Sequence, residues 1–200
     1  MKHIFSSSRV VSLSDGIFGF AMTLLVVNLS APELRSATTD DQLIQALSAS
    51  SHQFFIFFLS FFILASMWNV HARQFNHITK SDNTLTWINI VRLFLVVLVP
   101  FTSEIVGDHQ SLTSATFLFN FNIFLLCLVG YVEWKYAITH DLTDPLDKKQ
   151  LLEGEIKSLF ACAVGLAACI VSFINPRLSL ALFIVIPIGF LFFKRWGKIF

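Results

Sequence analysis

Charge is what this chain has least of. Aspartate, glutamate, lysine and arginine together make up 14% of its 200 residues, against about a quarter in an ordinary soluble domain. A water-soluble domain of this length needs more polar surface than that to cover its core. The mean hydropathy is +0.70, and the 23 phenylalanines exceed what one small core can use. An integral membrane protein follows. The formal net charge of +1 leaves no basic excess for a nucleic-acid partner. Cysteine is also scarce: Cys127, Cys162 and Cys169 all fall in apolar segments. An odd number at such positions excludes a disulfide framework and reads as small packing residues. No internal repeat or low-complexity tract is visible, and a retained first span is expected in place of a cleavable leader. The apolar run after Asp15 reaches Pro32, longer than the apolar region of a signal peptide, and further spans follow it. Metal chemistry finds no support either. His71 and His77 are six apart, poor spacing for one helix face, and no cysteine or carboxylate cage accompanies them.

What the chain does have is six apolar segments, at about 10–31, 43–70, 85–103, 111–132, 158–176 and 178–193. Most approach the roughly 20 residues that cross a bilayer as helix, and open strands cannot satisfy their backbone in lipid. The expected fold class is therefore an all-α integral membrane protein, a single domain over residues 1–200 with six transmembrane helices. The stretch from Glu133 to Lys157 reads as a solvent-exposed loop, with a surface helix starting at Pro145 and Asp144 as its N-cap. An even number of spans puts both termini on one side. That side collects Lys2, Arg9, Arg73, Lys80, Lys135, Lys148, Lys149, Lys157, Lys194, Arg195 and Lys198, whereas the other holds only Arg35 and Arg177 among acids such as Glu33, Asp40, Asp41, Glu104 and Asp108. The positive-inside rule makes the termini cytoplasmic, in a cell membrane.

The first segment, RVVSLSDGIFGFAMTLLVVNL, poses the functional question. Phe20, Thr23, Leu24 and Val27 stand at i, i+3, i+4 and i+7, on one helical face. Gly16 extends that face, and Gly16 and Gly19 permit close approach of another helix. On spacing alone, a packed bundle helix and a pore-lining helix with a hydrophobic constriction both fit. Near the helix start lie Arg9, Ser14 and Asp15. At similar depth the second segment carries His71, Arg73 and His77, and the third carries Asp82 and Asn89. Polar groups in a membrane need partners, so these side chains are expected to clamp the first three helices together. Arg92 is expected to pair with an acid such as Asp15 or Glu104, or to face a wet crevice, the ion pair being the favoured reading.

These residues resemble a known family. Arg9, the triplet Leu13-Ser14-Asp15 and the run Thr23-Leu24-Leu25 look like the first-helix signature of the endosomal and lysosomal potassium channels, the transmembrane protein 175 type, in its prokaryotic form. A second block, MWNVHARQFNHITKSDNTLTWINIVRLFLVVLVPFTS, resembles the family's pattern at Trp68, His71, Phe75, Ile78, Asp82, Leu85, Trp87, Asn89, Pro100, Phe101 and Thr102. The two blocks cover the first three segments, about half of the chain. The resemblance implies homotetramers of six-helix subunits in which the first helix lines a central pore. It implies passage of potassium and other monovalent cations with no cofactor, and no Thr-Val-Gly-Tyr-Gly filter, a motif this sequence lacks. It assigns the constriction to Phe20, Leu24 and Val27 with Thr23 as a polar layer, and a structural polar network to Arg9, Ser14, Asp15, His71 and Asn89. Two positions depart from the family. Leu13 replaces a phenylalanine, and Phe20 replaces the isoleucine or leucine of the narrowest ring, offering ring faces to a cation. No convincing nucleophile is present, so an enzyme is not expected. The alternative reading is a secondary or proton-coupled transporter that uses Asp15 and His71 as a relay.

Overall fold

A computed structural model describes residues 5–29, 36–186 and 188–189. After a two-residue strand β1, Phe5–Ser6, come helices α1 (Ser7–Val27), α2 (Asp40–Ala49) and α3 (Ser51–His77). Strand β2 (Lys80–Ser81) precedes α4 (Asn83–Asp108), α5 (Thr113–Thr139), α6 (Lys148–Ser172) and the short α7 (Pro176–Ala181), which runs into a 3₁₀ turn at Leu182–Ile184. Apart from the two-stranded antiparallel ladder of β1 with β2 and an isolated bridge of Ile78 with Thr143, the regular structure of the described residues is helical.

Five of these helices are long and apolar enough to cross a membrane: Ser7–Val27, Ser51–His77, Asn83–Asp108, Thr113–Thr139 and Gln150–Ser172. The expected spans shift accordingly. The second segment is two helices, not one. Thr39 caps α2 by accepting from the Gln42 amide, α2 ends at Ser50, and the spanning helix begins at Ser51. It then continues past Val70 to His77, because His71 and Gln74 are buried and hydrogen-bonded instead of exposed. The fourth segment likewise runs on to Thr139. Glu133, read from sequence as the start of an exposed loop, is a buried residue of α5. No separate surface helix starts at Pro145: the helix after the loop is α6 itself, whose spanning part runs from Gln150 to Ser172 in place of the expected 158–176, and it is capped by Asp147, not Asp144. Asp147 accepts from the Gln150 amide at 2.7 Å and Gln150 reciprocates at 3.1 Å, a capping box. Of the sixth segment, α7 and the 3₁₀ turn are described. Pro187 and residues 190–200, with Lys194, Arg195 and Lys198, lie outside the described residues, as do Lys2 and residues 30–35, with Pro32, Glu33 and Arg35.

α4 is the central helix, packed against α1, α3 and α5, while α6 packs on α5 and α7. Side chains that hydrogen-bond across helices hold the bundle, as expected where water is absent. Ser60 meets Ser103 at 2.7 Å between α3 and α4. Asn122 donates to the Leu95 carbonyl between α5 and α4, and Asn120 donates to the Ala168 carbonyl and to Ser179 Oγ, joining α5 to α6 and α7. At one end, the links between helices are stitched together. β1 pairs with β2, the Thr79 and Lys80 amides donate to the Leu142 carbonyl, and the Asp144 amide donates to His77 O.

The closest backbone approach is at Gly165 of α6, where a Cβ would stand 2.9 Å from Phe124 Cα. Backbone cannot yield as a side chain can. Gly165→Ala should therefore cost about 1–3 kcal/mol by overpacking, read as a lower Tm of the purified protein in detergent. The same change at the open Gly16, where nothing lies within 4 Å, should leave Tm near wild type.

Candidate functional site

α1 is apolar all round, yet it packs through one stripe only. Val10, Ser14, Phe18, Ala21 and Leu25 recur every three or four residues and are buried against the bundle. The opposite face carries Leu13, Gly16, Phe20, Leu24 and Val27, spaced i, i+3, i+7, i+11 and i+14. Phe20 is 64% exposed and Val27 65%. Thr23 is exposed beside them, its hydroxyl donating to the Phe20 carbonyl at 2.8 Å, while Leu24 is half-buried. A threonine whose hydroxyl donates back to its own helix keeps both oxygen lone pairs free to accept.

The buried stripe is fastened to α4 at two heights. Near the foot, Asn89 Nδ2 donates to Ser14 Oγ at 3.1 Å, and Asn89 Oδ1 stands 3.1 Å from His71 Nε2 on α3. His71 is fully buried, stacked on Phe75 and tilted against Phe18. Near the top, Asn28 Nδ2 donates to the Pro100 carbonyl at 2.8 Å. Ser14, His71 and Asn89 thus form one hydrogen-bonded group across α1, α3 and α4. Asp15 belongs to a second contact, accepting from Trp68 Nε1 at 2.9 Å on the exposed side. Arg9 is exposed, in the first turn of α1.

Arg92 corrects the expectation placed on it. Its partner is neither Asp15 nor Glu104. Its Nη1 donates to Glu133 Oε2 at 2.6 Å and to Gln74 Oε1 at 3.3 Å. Arg92 and Glu133 are each 1% exposed. Gln74 and Glu133 were missed as site residues because the apolar runs were ended at Val70 and Val132. The signal was available: a buried arginine demands an acid, and Glu133 is the only acid directly abutting the fourth apolar run. Among the described residues there is no group of three or more metal-ligating side chains.

Beside the upper end of α1, Leu25, Asn28, Gln53, Ser103, Glu104 and Asp108 line a shallow open crevice. Gln53 Nε2 donates to Asp108 Oδ1 at 3.0 Å across it. Among the described residues its lining includes two acids, Glu104 and Asp108.

Five long apolar helices joined by hydrogen bonds from buried polar side chains define a polytopic α-helical membrane protein. The comparisons narrow the class. The family model described as the endosomal/lysosomal potassium channel TMEM175 matches residues 9–100, which hold α1 to α3 and most of α4. A potassium channel of Chamaesiphon minutus is 27% identical over 189 residues, covering 92% of this chain and 93% of that protein. Over residues 9–100 the chain thus resembles the TMEM175 family, and the Chamaesiphon minutus relative extends the likeness over most of its length. A mouse relative described as an endosomal/lysosomal proton channel is 25% identical over 114 residues, 57% of this chain and 22% of the mouse protein. In fold, the chain matches the crystal structure of a lysosomal potassium-selective TMEM175 homologue from Chamaesiphon minutus with a TM-score of 0.77 at 23% identity, over 93% of this chain and 96% of that one.

Asn89 is the hub of the foot, serving both Ser14 and His71. Asn89→Ala should leave His71 Nε2 without its partner, while Ser14 Oγ keeps its bond to the Val10 carbonyl, and should cost about 1–3 kcal/mol, seen as a fall in Tm. Asp15→Asn, which keeps an acceptor for the exposed Trp68, should shift Tm far less.

Proposed function

We propose that the protein is a potassium-permeable cation channel. In this reading, residues 1–200 form a single six-helix unit, four copies surround a central pore, and the first helix of each lines it. The membrane is the cell membrane and both termini are cytoplasmic. Potassium and other monovalent cations are the cargo, and no cofactor is required.

The observation that carries the proposal is the division of α1 into one fastened stripe and one free face. The free face bears Phe20, Leu24 and Val27 with the Thr23 hydroxyl among them. Rings of such side chains around an axis make a hydrophobic constriction that passes ions only when wetted, and Thr23 interrupts it with a polar layer. Cation preference then comes from dehydration cost, the ring faces of Phe20 and the potential at the mouths, with no carbonyl filter. The crevice acids Glu104 and Asp108 stand beside the upper end of α1, where they raise the local cation concentration. The names of the bacterial relatives agree with this reading. The arrangement of the links supports the orientation, since the stitched end carries Arg73, Lys80 and Lys135 and the other end carries Asp40, Asp41, Glu104 and Asp108.

A relay through Asp15 and His71 finds less support. Asp15 is held by Trp68 and His71 by Asn89, so the two are engaged with separate partners.

Potassium flux from loaded liposomes tests the proposal. Wild-type protein should conduct above protein-free vesicles. Phe20→Ala should raise flux several-fold and lower discrimination against sodium by widening and wetting the constriction, and Thr23→Ala should reduce flux. Flux at background for the wild type would sink the channel reading. Flux indifferent to both substitutions would mean that another face lines the path.

A further inference from the structure

The polar side chains of α3 and α4 are arranged as a ladder. His71 and Gln74 stand three apart on α3, and Asn89 and Arg92 stand three apart on α4. One rung is His71–Asn89 at 3.1 Å, and the next is Arg92–Gln74 at 3.3 Å. Each rung reaches one helix further, in opposite directions. From Asn89 the first rung continues to Ser14 on α1. From Arg92 the second continues to Glu133 on α5. α1 itself packs on α3 and α4, and α5 packs on α4 and α6.

The second rung is not explained by stability. Two fully buried charges carry a large desolvation penalty, and apolar residues of similar volume usually serve as well or better. The penalty is not fully offset here, because Arg92 Nε and Glu133 Oε1 have no hydrogen-bond partner among the described residues. What an ion pair supplies that apolar packing does not is a fixed register. The surroundings are cut to the guanidinium: a Cβ at Gly130, three residues before Glu133, would lie 3.0 Å from Arg92 Cζ and Nη2.

We propose that Arg92, Glu133 and Gly130 are positioning residues for the pore helix. The Arg92–Glu133 pair locks α4 in register against α5, and through Asn89 it sets where Ser14, and with it the foot of α1, is held. Movements of the outer helices α5 and α6 would reach the pore by this route, since α4 lies between them and α1. The inference rests on the channel reading, and its test separates the two.

Three variants suffice: Gly130→Ala, which keeps every charge but displaces the guanidinium; the double replacement Arg92→Met with Glu133→Leu; and Ser14→Ala. Each is measured by melting in detergent and by potassium flux and potassium-to-sodium permeability in liposomes. The apolar pair should melt at or above the wild-type temperature and yet change flux or selectivity about twofold to thirtyfold, the range expected for coupling along such a chain. Gly130→Ala should change flux in the same direction. A merely structural pair would move stability and leave permeation alone. Melting shifts of Ser14→Ala and Gly130→Ala should be non-additive when combined. That cycle reads the ladder whether or not the protein conducts, whereas absent wild-type flux sinks the channel reading alone. Wild-type flux and selectivity in the apolar pair, or additive melting shifts, would overturn the proposal. Should the apolar pair not fold, Glu133→Asp, which keeps the charge but withdraws it by one methylene, takes its place with the same expectation for flux.

Discussion

Every other feature of this bundle depends on one constraint. A polar group taken into a membrane must find its partner inside the protein. The Arg92–Glu133 pair is its most demanding case, two full charges at 1% exposure linked at 2.6 Å. Satisfying it requires α4 and α5 to meet at one height and in one rotation, with Gly130 leaving space for the guanidinium. Smaller versions of the same demand fix the other contacts. Asn120 and Asn122 each reach a backbone carbonyl on a neighbouring helix, and Ser60 finds Ser103. The apolar surface alone could not set these registers, because in lipid one apolar helix face is much like another.

That constraint also explains what could be read from the sequence and what could not. Helix existence was legible: runs of apolar residues this long have no other stable form in a bilayer, and all five helices that qualify as spans overlap a run marked from sequence. Helix ends were not. The second, third and fourth expected spans, each ended before a polar residue, stopped too soon. His71, Gln74 and Glu133 look like solvent-facing residues until the partners that neutralise or hydrogen-bond them are known. The break at Ser50 was missed for the opposite reason. The apolar residues of α2, among them Leu43, Ile44 and Leu47, extend the hydrophobic run, although they are exposed and belong to a separate short helix.

The foot of α1 was partly legible. Ser14, His71 and Asn89 were named together because they fall at similar depth, and they meet through hydrogen bonds. Asp15 was named with them and is instead held by Trp68, since successive helix residues point about 100° apart and only one of the two can face α4. Periodicity assigns side chains to faces but does not say which neighbour occupies each face. For Arg92 the need for an acid was evident from chemistry. The identity of that acid depended on which helix stands beside α4, a tertiary fact no local pattern records.

The division of α1 into a bonded stripe and a free face bears on how such a helix could work. A constriction made of apolar side chains has no strong ligand to hold its geometry, so its diameter is set by where the helix backbone is anchored. Ser14 and Asn28 provide those anchors, one near each end, and both attach to α4. Between them, the face bearing Phe20, Thr23 and Val27 makes no comparable polar attachment to the rest of the subunit. A small rotation of α4 therefore moves both anchors together, as a rigid unit, and shifts the whole apolar face at once. On the proposed reading, that makes the width of the pore a property of helix packing rather than of the residues that line it. It also gives the costly charges at Arg92 and Glu133 a reason to be retained in a chain that has so few.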